Sequence, residues 1–123
     1  MTVYAIDYSG SIDRGLAHRA AKQIAHAADA GDVAMAFDHR IVGTVPATKA
    51  ASLINNAGGG GTEFQRVLDW ANGRGHKAVT LYTDGYFNEG SLNTHDLLVT
   101  VVLMGEDGKV NEHIKFPVVG RLR

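Results

Sequence analysis

Short runs rich in apolar residues alternate along this chain with longer stretches in which apolar positions recur at helical spacing. A short apolar run bounded by Gly, Asp or Ser is typical of a strand that is buried on both faces of a sheet. The sequence predicts strands at residues 2–6, 33–37, 41–45, 77–83 and 97–103, and a last one at 116–119. Because Pro117 has no N–H to donate, we expect that last strand at a sheet edge.

Three stretches show the spacing of amphipathic helices, in which positions three and four apart form one face. The predicted helices cover residues 12–30, 46–55 and 63–72. Gly31 should end the first of them, since glycine readily adopts the left-handed conformation that follows a helix. Ser9 or Ser11 is expected to cap its start, because a serine hydroxyl accepts a hydrogen bond from a free N–H of the first turn.

The order of these elements predicts the topology. Only the residues Asp38 to Arg40 separate the second strand from the third, so these two should form an antiparallel hairpin. Longer connections join the other strands and favour parallel pairing. We therefore predict one domain, residues 1–123, with a Rossmann-like α/β fold: a three-layer sandwich whose central sheet is mostly parallel and has one antiparallel edge strand.

Composition and charge narrow the classes of function. Hydrophobic residues make up 45% of the chain and charged residues 20%, as in ordinary globular domains. A net charge of -1 gives no electrostatic reason to expect binding to nucleic acid or to an anionic membrane. No apolar run approaches the length of a membrane span. With no cysteine, disulfides, zinc–thiolate sites and thiol catalysis are excluded, and we expect a cytoplasmic protein.

The candidate chemistry lies where predicted strands and glycine-rich turns end. Asp7, Ser9 and Ser11 follow the first strand, Thr62 follows four glycines, and Asp84 follows the fourth strand. In a parallel sheet, ligands collect at the carboxyl ends of the strands, so these loops should face one crevice if the first and fourth strands are neighbours. All five side chains offer oxygen and none offers nitrogen or sulfur. This is the ligand set of a hard divalent cation, Mg²⁺ or Mn²⁺ rather than Zn²⁺.

Other interpretations of the same residues remain open. Asp, Ser and Gly are common in turns and helix caps, and Thr62 could cap the helix that follows it. The glycine run does not match a phosphate loop, because the Lys of that motif is missing after Thr62. The six histidines show no ligand spacing for zinc. Asp38 is more simply a hairpin turn residue than a neighbour of the metal site.

The arrangement Asp7-x-Ser9-x-Ser11, Thr62 and Asp84 resembles the metal-ion-dependent adhesion site (MIDAS) of von Willebrand factor A (VWA) domains. The surrounding sequence, from about residue 3 to residue 102, is similar to the A-like domain at the C-terminal end of bacterial proteins described as metallopeptidases. The chain contains no His-Glu-x-x-His stretch, so it lacks the zinc-binding motif that would support a peptidase activity.

The resemblance implies binding and not catalysis. In such domains the hydroxyls and the aspartates hold the metal ion, and an acidic side chain of a partner protein completes its coordination. Relatives of this type often work beside an AAA+ ATPase, which the resemblance implies as a partner system. Two other hypotheses stay open: a metal-dependent hydrolase acting on phosphate esters or peptides, and a VWA scaffold whose metal site is idle.

Overall fold

A six-stranded sheet forms the centre of the protein. The computed structural model describes residues 1–8, 12–55, 63–85, 92–105 and 116–122. Within these residues the strands follow the order β3-β2-β1-β4-β5-β6 across the sheet. Their bounds are β1 (Thr2–Asp7), β2 (Val33–Phe37), β3 (Ile41–Pro46), β4 (Ala78–Thr83), β5 (Leu98–Met104) and β6 (Val118–Leu122).

Strand pairing confirms the predicted fold class. β1 lies between β2 and β4 and is parallel to both, and β5 and β6 continue the parallel part of the sheet. β3 alone runs antiparallel, as the short link to β2 predicted, and its register shifts by a bulge between Ala36 and Phe37 of β2. β6 lies at the opposite edge, which is where Pro117 was expected to confine it.

Three helical segments cover the sheet in the part of the chain that the structure describes. They are α1 (Arg14–Ala27), a 3₁₀ helix (Ala47–Asn55) and α2 (Gln65–Gly73). The second predicted helix is therefore present but is of the tighter 3₁₀ type, with a kink at Lys49, where φ is -110° and ψ is 20°. Within the described residues, no helix combines the length and the apolar character needed to cross a bilayer.

The two faces of the sheet are filled by side chains of different size. Along β2, Ala34 and Ala36 turn to the face covered by α1 and the 3₁₀ helix, whereas Met35 and Phe37 turn to the face covered by α2. The buried side of α1 is also mostly alanine, with Ala17, Ala20, Ala21 and Ile24 fully buried. Small side chains on both partners let α1 approach the sheet closely, while bulky side chains fill the space under α2.

The start of α1 differs from the prediction. The helix begins at Arg14, and its N-cap is Asp13, whose Oδ1 accepts hydrogen bonds from the N–H groups of Gly15 (2.7 Å) and Leu16 (3.2 Å). The prediction that Ser9 or Ser11 caps this helix was therefore wrong. An aspartate at the N-cap satisfies two free N–H groups and also places a negative charge at the positive end of the helix dipole.

Helix α2 forms hydrogen bonds with the connection that leads into β5. The side-chain amide of Gln65 accepts a hydrogen bond from the N–H of Asn93 (2.8 Å) and donates one to its carbonyl (2.9 Å). His95 Nε2 lies 2.8 Å from Asp69 Oδ1, and this hydrogen bond lowers the pKa of Asp69. His95 and Asp96 both adopt left-handed φ angles, 51° and 61°, which non-glycine residues adopt at a cost in free energy. These contacts hold the strained turn in place.

We expect Asp13→Ala to lower the free energy of unfolding by about 1 kcal/mol, because two N–H groups of the first helical turn lose their acceptor. Asp13→Asn should be almost neutral, since asparagine caps helices as well as aspartate does. Urea denaturation of the three proteins measures both differences. Equal losses in the two variants would show that the charge, and not the cap, stabilises α1.

A second prediction concerns Tyr82, whose hydroxyl donates a hydrogen bond to Oε1 of Gln23 on α1 (3.2 Å). Burial raises the pKa of Tyr82 to about 12. Because the folded pKa lies above the unfolded value of 10.0, this phenol stabilises the fold fully below pH 10 and progressively less as the pH rises towards 12. Denaturation at pH 9 and at about pH 11 should show a smaller alkaline loss for Tyr82→Phe than for the wild type. An equal loss in both proteins would contradict this.

Candidate metal centre

The carboxyl ends of β1 and β4 lie side by side and carry two of the predicted metal ligands. The strands pair in parallel up to Ile6 and Tyr82, so Asp7 ends β1 next to Thr83, and Asp84 follows directly. The expectation that the first and fourth strands are neighbours is confirmed. Asp7 is fully buried and Asp84 is 8% exposed. Two carboxylates are thus buried at the carboxyl ends of two neighbouring strands.

Thr83 connects these two strand ends. Its hydroxyl donates a hydrogen bond to Oδ2 of Asp7 (2.7 Å) and accepts one from the N–H of Gly85 (3.1 Å), and all three groups are buried. Gly85 has a φ of 87°, which favours glycine, and this turn directs the chain away from the sheet after Asp84. Thr83 therefore orients the carboxylate of Asp7 and holds the turn around Asp84 at the same time.

The role of Thr83 was missed in the sequence, where it was assigned only as the last residue of a strand. The available signal was a hydroxyl side chain at the end of an apolar strand, immediately before Asp84 and Gly85. A threonine at that position faces the end of the neighbouring parallel strand. Only the pairing of β4 with β1 identifies its partner as Asp7.

The end of β2 anchors two of the predicted metal-binding loops. The N–H of Tyr8, in the loop after β1, donates to the carbonyl of Phe37 (2.7 Å), and the N–H of Glu63 donates to the carbonyl of Asp38 (2.8 Å). Glu63 directly follows the predicted ligand Thr62. The chain segments that adjoin the Asp7 loop and the Thr62 loop are thus held at the same strand end.

Asp38 is a hairpin turn residue, as the sequence predicted. Its side chain is buried, and Oδ1 accepts a hydrogen bond from the N–H of Arg40 (3.0 Å) within the turn between β2 and β3. Nδ1 of His39 lies 3.4 Å from the same oxygen. This local bonding pattern is typical of aspartate in tight turns.

Tyr8 and Arg14 fix the approach to α1. The Tyr8 ring is buried in the core below α1, and burial raises the pKa of its phenol. The guanidinium of Arg14 lies over this ring, 5.1 Å from its centroid, and donates two hydrogen bonds of 3.3 Å to the Tyr8 carbonyl. Tyr8 therefore has a packing role.

Of the five predicted ligands, Asp7 and Asp84 come together at neighbouring strand ends, while Ser9, Ser11 and Thr62 lie outside the described residues. Within the described part of the chain, no group of three or more His, Asp and Glu side chains is arranged to hold a metal ion. The predicted site contains only two carboxylates and otherwise hydroxyl oxygens. Two buried carboxylates at one edge are chemically suited to a hard divalent cation.

Other residues near these loops have structural partners. The exposed side chain of Glu63 forms an ion pair with Arg66 (2.8 Å) one turn along α2. The N-cap residue of α2 is Phe64, which forms no capping hydrogen bond through its side chain. The N-terminus of α1 is capped by Asp13, whose carboxylate lies at the positive end of the helix dipole.

We expect Thr83→Val to lower the free energy of unfolding by about 1–3 kcal/mol, because it leaves Oδ2 of Asp7 and the N–H of Gly85 buried without their hydroxyl partner. Thr83→Ser keeps the hydroxyl and should lose much less. Chemical denaturation in excess EDTA isolates this effect from any metal binding. Similar losses in both variants would mean that the threonine methyl group, through packing, is what stabilises this strand end.

Comparison with known proteins agrees with the geometry. No curated protein matches the chain at a significant level. A family model described as a VWA-like domain (DUF2201) matches residues 2–116, which is nearly the whole sequence. The match includes strands β1 to β5 and ends at Phe116, two residues before β6 begins. The sequence match and the mostly parallel α/β sheet together identify the chain as a member of the VWA-like domain family DUF2201.

Proposed function

We propose that this domain is a metal-dependent protein–protein interaction module. Its membership of a VWA-like family supports an interaction or scaffold role in general. In the specific form proposed here, Mg²⁺ or Mn²⁺ is held by Asp7, Ser9, Ser11, Thr62 and Asp84. An acidic residue of a partner protein, for example in an AAA+ ATPase system, then completes the coordination of the ion.

The observation that carries this proposal is the burial of Asp7 and Asp84 at adjacent strand ends. Removing a carboxylate from water is costly unless the charge is compensated, and two carboxylates close together also repel each other. A divalent cation would compensate both charges, which gives a reason for this sequence to keep two aspartates there.

The remaining predicted ligands explain why such an ion would bind a partner. The sequence pattern is the reason for proposing Ser9, Ser11 and Thr62 as ligands. Their hydroxyl oxygens carry no charge. An ion held mostly by neutral oxygens retains positive charge, which attracts a further carboxylate. The domain itself supplies only two carboxylates to this set, so the third would come from the partner.

Hydrogen bonds hold the described segments that adjoin the proposed ligands. Thr83 orients the carboxylate of Asp7, and the two backbone hydrogen bonds to the end of β2 fix the segments next to the Asp7 and Thr62 loops. Binding is tighter when the ligands need little reorganisation, because less conformational freedom is lost. This preorganisation favours a binding site over a set of unrelated surface turns.

The proposal predicts that Mg²⁺ or Mn²⁺ stabilises the wild-type domain and not Asp7→Asn or Asp84→Asn. At an ion concentration 100 times Kd, binding to the native state adds about 2.7 kcal/mol, which corresponds to a rise in Tm of roughly 10 °C for a domain of this size. Thermal melting with each ion and with excess EDTA measures the shift. Asp13→Asn is the matched control, because it removes an exposed carboxylate nearby and should retain the full response to the ion.

The same experiment contains an internal check. In EDTA, Asp7→Asn should be at least as stable as the wild type, because it keeps a hydrogen-bonding side chain for Thr83 and removes one of two neighbouring charges. A variant that is less stable in EDTA, together with a wild type that ignores both ions, would contradict the metal site and favour the idle scaffold. Metal-dependent turnover of a phosphate ester or a peptide, abolished by Asp7→Asn, would instead support the hydrolase.

A further inference from the structure

A cleft of about 520 Å³ opens at the end of the sheet opposite the candidate metal centre. β2 runs from Val33 at this cleft to Phe37 at the metal centre, a distance of roughly 13 Å at the usual rise per residue of a strand. The cleft lies between the start of β2, the end of β3 and the C-terminal end of α2. Its lining residues are Gly31, Asp32, Val33, Thr44, Val45, Pro46, Trp70, Arg74 and His76.

The cleft exists because α2 covers its face of the sheet only in part. Met35 pairs with Thr44 and Val33 with Pro46, so Val33, Thr44 and Pro46 turn to the same face as Met35, the face that α2 packs against. Thr44 and Pro46 are nevertheless exposed. β3 is also the last strand on its side of the sheet within the described residues. In the described residues, the edge of β3 and an apolar part of the sheet surface are therefore both accessible at the cleft.

Three side chains at the wall of the cleft form a stack. The Trp70 ring lies parallel to the His76 ring, with centroids 5.8 Å apart and an interplanar angle of 17°. The guanidinium carbon of Arg74 lies 4.2 Å from the Trp70 centroid, in cation–π geometry. Arg74 is exposed, and no carboxylate within the described residues pairs with it. The stack thus presents an oriented cation at the rim of an apolar cleft.

Two further polar groups limit what can bind. Asp32 lines the cleft, but Oδ1 already accepts from the N–H of Thr2 (2.9 Å) and Oδ2 from the N–H of Asp29 (3.0 Å). It is therefore a structural residue. His76 is 7% exposed, and within the described part of the chain its Nδ1 has no hydrogen-bond partner. A buried nitrogen in this state is unfavourable, and a bound polar group that reaches it would gain a hydrogen bond.

We propose that this cleft and the free edge of β3 bind an extended peptide of a partner protein that carries an acidic residue beside apolar ones. The peptide backbone adds to β3 as a further strand, its apolar side chains lie on Val33 and Pro46, and its carboxylate pairs with Arg74. In strand addition, backbone hydrogen bonds supply affinity and a neighbouring side-chain pocket supplies specificity. The exposed guanidinium of Arg74 selects the acidic residue by charge.

The surface is independent of the proposed metal centre, and the test is designed to keep the two apart. The probes are short synthetic peptides in which apolar and polar residues alternate, each made with one Glu and with Gln in its place. All measurements are made in excess EDTA. Trp70 is the only tryptophan of the chain, so its fluorescence and its indole N–H signal in NMR report directly on the cleft.

We expect Glu peptides to change the Trp70 signals and to shift the backbone amides of β3, and their Gln versions to bind about tenfold more weakly. Arg74→Gln should remove that preference. Arg66→Gln is the matched control, because it alters an exposed arginine of the same helix outside the cleft. A Glu peptide that is N-methylated at alternate positions should fail to bind, since it cannot make the backbone hydrogen bonds of a strand.

Four outcomes of the peptide-binding experiments would overturn the proposal. They are equal binding of the Glu and Gln peptides, a silent Trp70, unchanged affinity in Arg74→Gln, and full binding of the N-methylated peptide. Benzoate binding as tightly as the best peptide would also overturn it and would assign the cleft to small organic acids. Asp7→Asn should bind the peptides like the wild type, so a failed metal response and a failed peptide response can be told apart.

Discussion

The parallel pairing of β1 with β4 is the constraint on which the candidate metal centre depends. It brings together Asp7 and Thr83, which are 76 residues apart in the sequence, and joins them by a buried hydrogen bond of 2.7 Å. Parallel strands end at the same edge of a sheet, so Asp84 leaves β4 beside Asp7. A shift of one residue in this pairing would turn Thr83 and its neighbours to the opposite face and would remove that hydrogen bond.

The unequal faces of the sheet explain where the protein is open. Alanines on β2 and α1 allow close packing, and together α1 and the 3₁₀ helix cover their face. On the other face, bulky side chains of the sheet pack against α2, with Phe64 and Leu68 among the fully buried residues. Helix α2 is short, and the cleft lies beside its C-terminal end, over the start of β2 and the end of β3.

β2 links the two ends of the molecule. At its carboxyl end, the carbonyls of Phe37 and Asp38 hold the segments next to two candidate metal loops. At its other end, Val33 lines the cleft beside Trp70 and Arg74. The two proposed surfaces use different chemistry: an oxygen-ligated cation at one end, and an arginine with a free strand edge at the other. A domain with both could contact two segments of one partner, or two partners at once.

The sequence alone determined the strands, the antiparallel hairpin, the fold class and the approach of Asp7 to Asp84. Apolar periodicity, a link of three residues and the general geometry of parallel sheets are local or topological signals that need no side-chain detail. The same local signals could not select the cap of α1. Ser9, Ser11 and Asp13 are all competent caps by residue type, and only the observed start of α1 at Arg14 identifies Asp13 as the cap.

Only the tertiary structure decided the role of Thr83, the 3₁₀ geometry of the second helix and the existence of the cleft. The hydroxyl of Thr83 acquires its partner through the register between two distant strands. Trp70 packs against the core, and its ring also holds Arg74 at the cleft because His76 and β3 are brought beside it. Such contacts depend on distances between elements, which a pattern of apolar and polar residues does not specify.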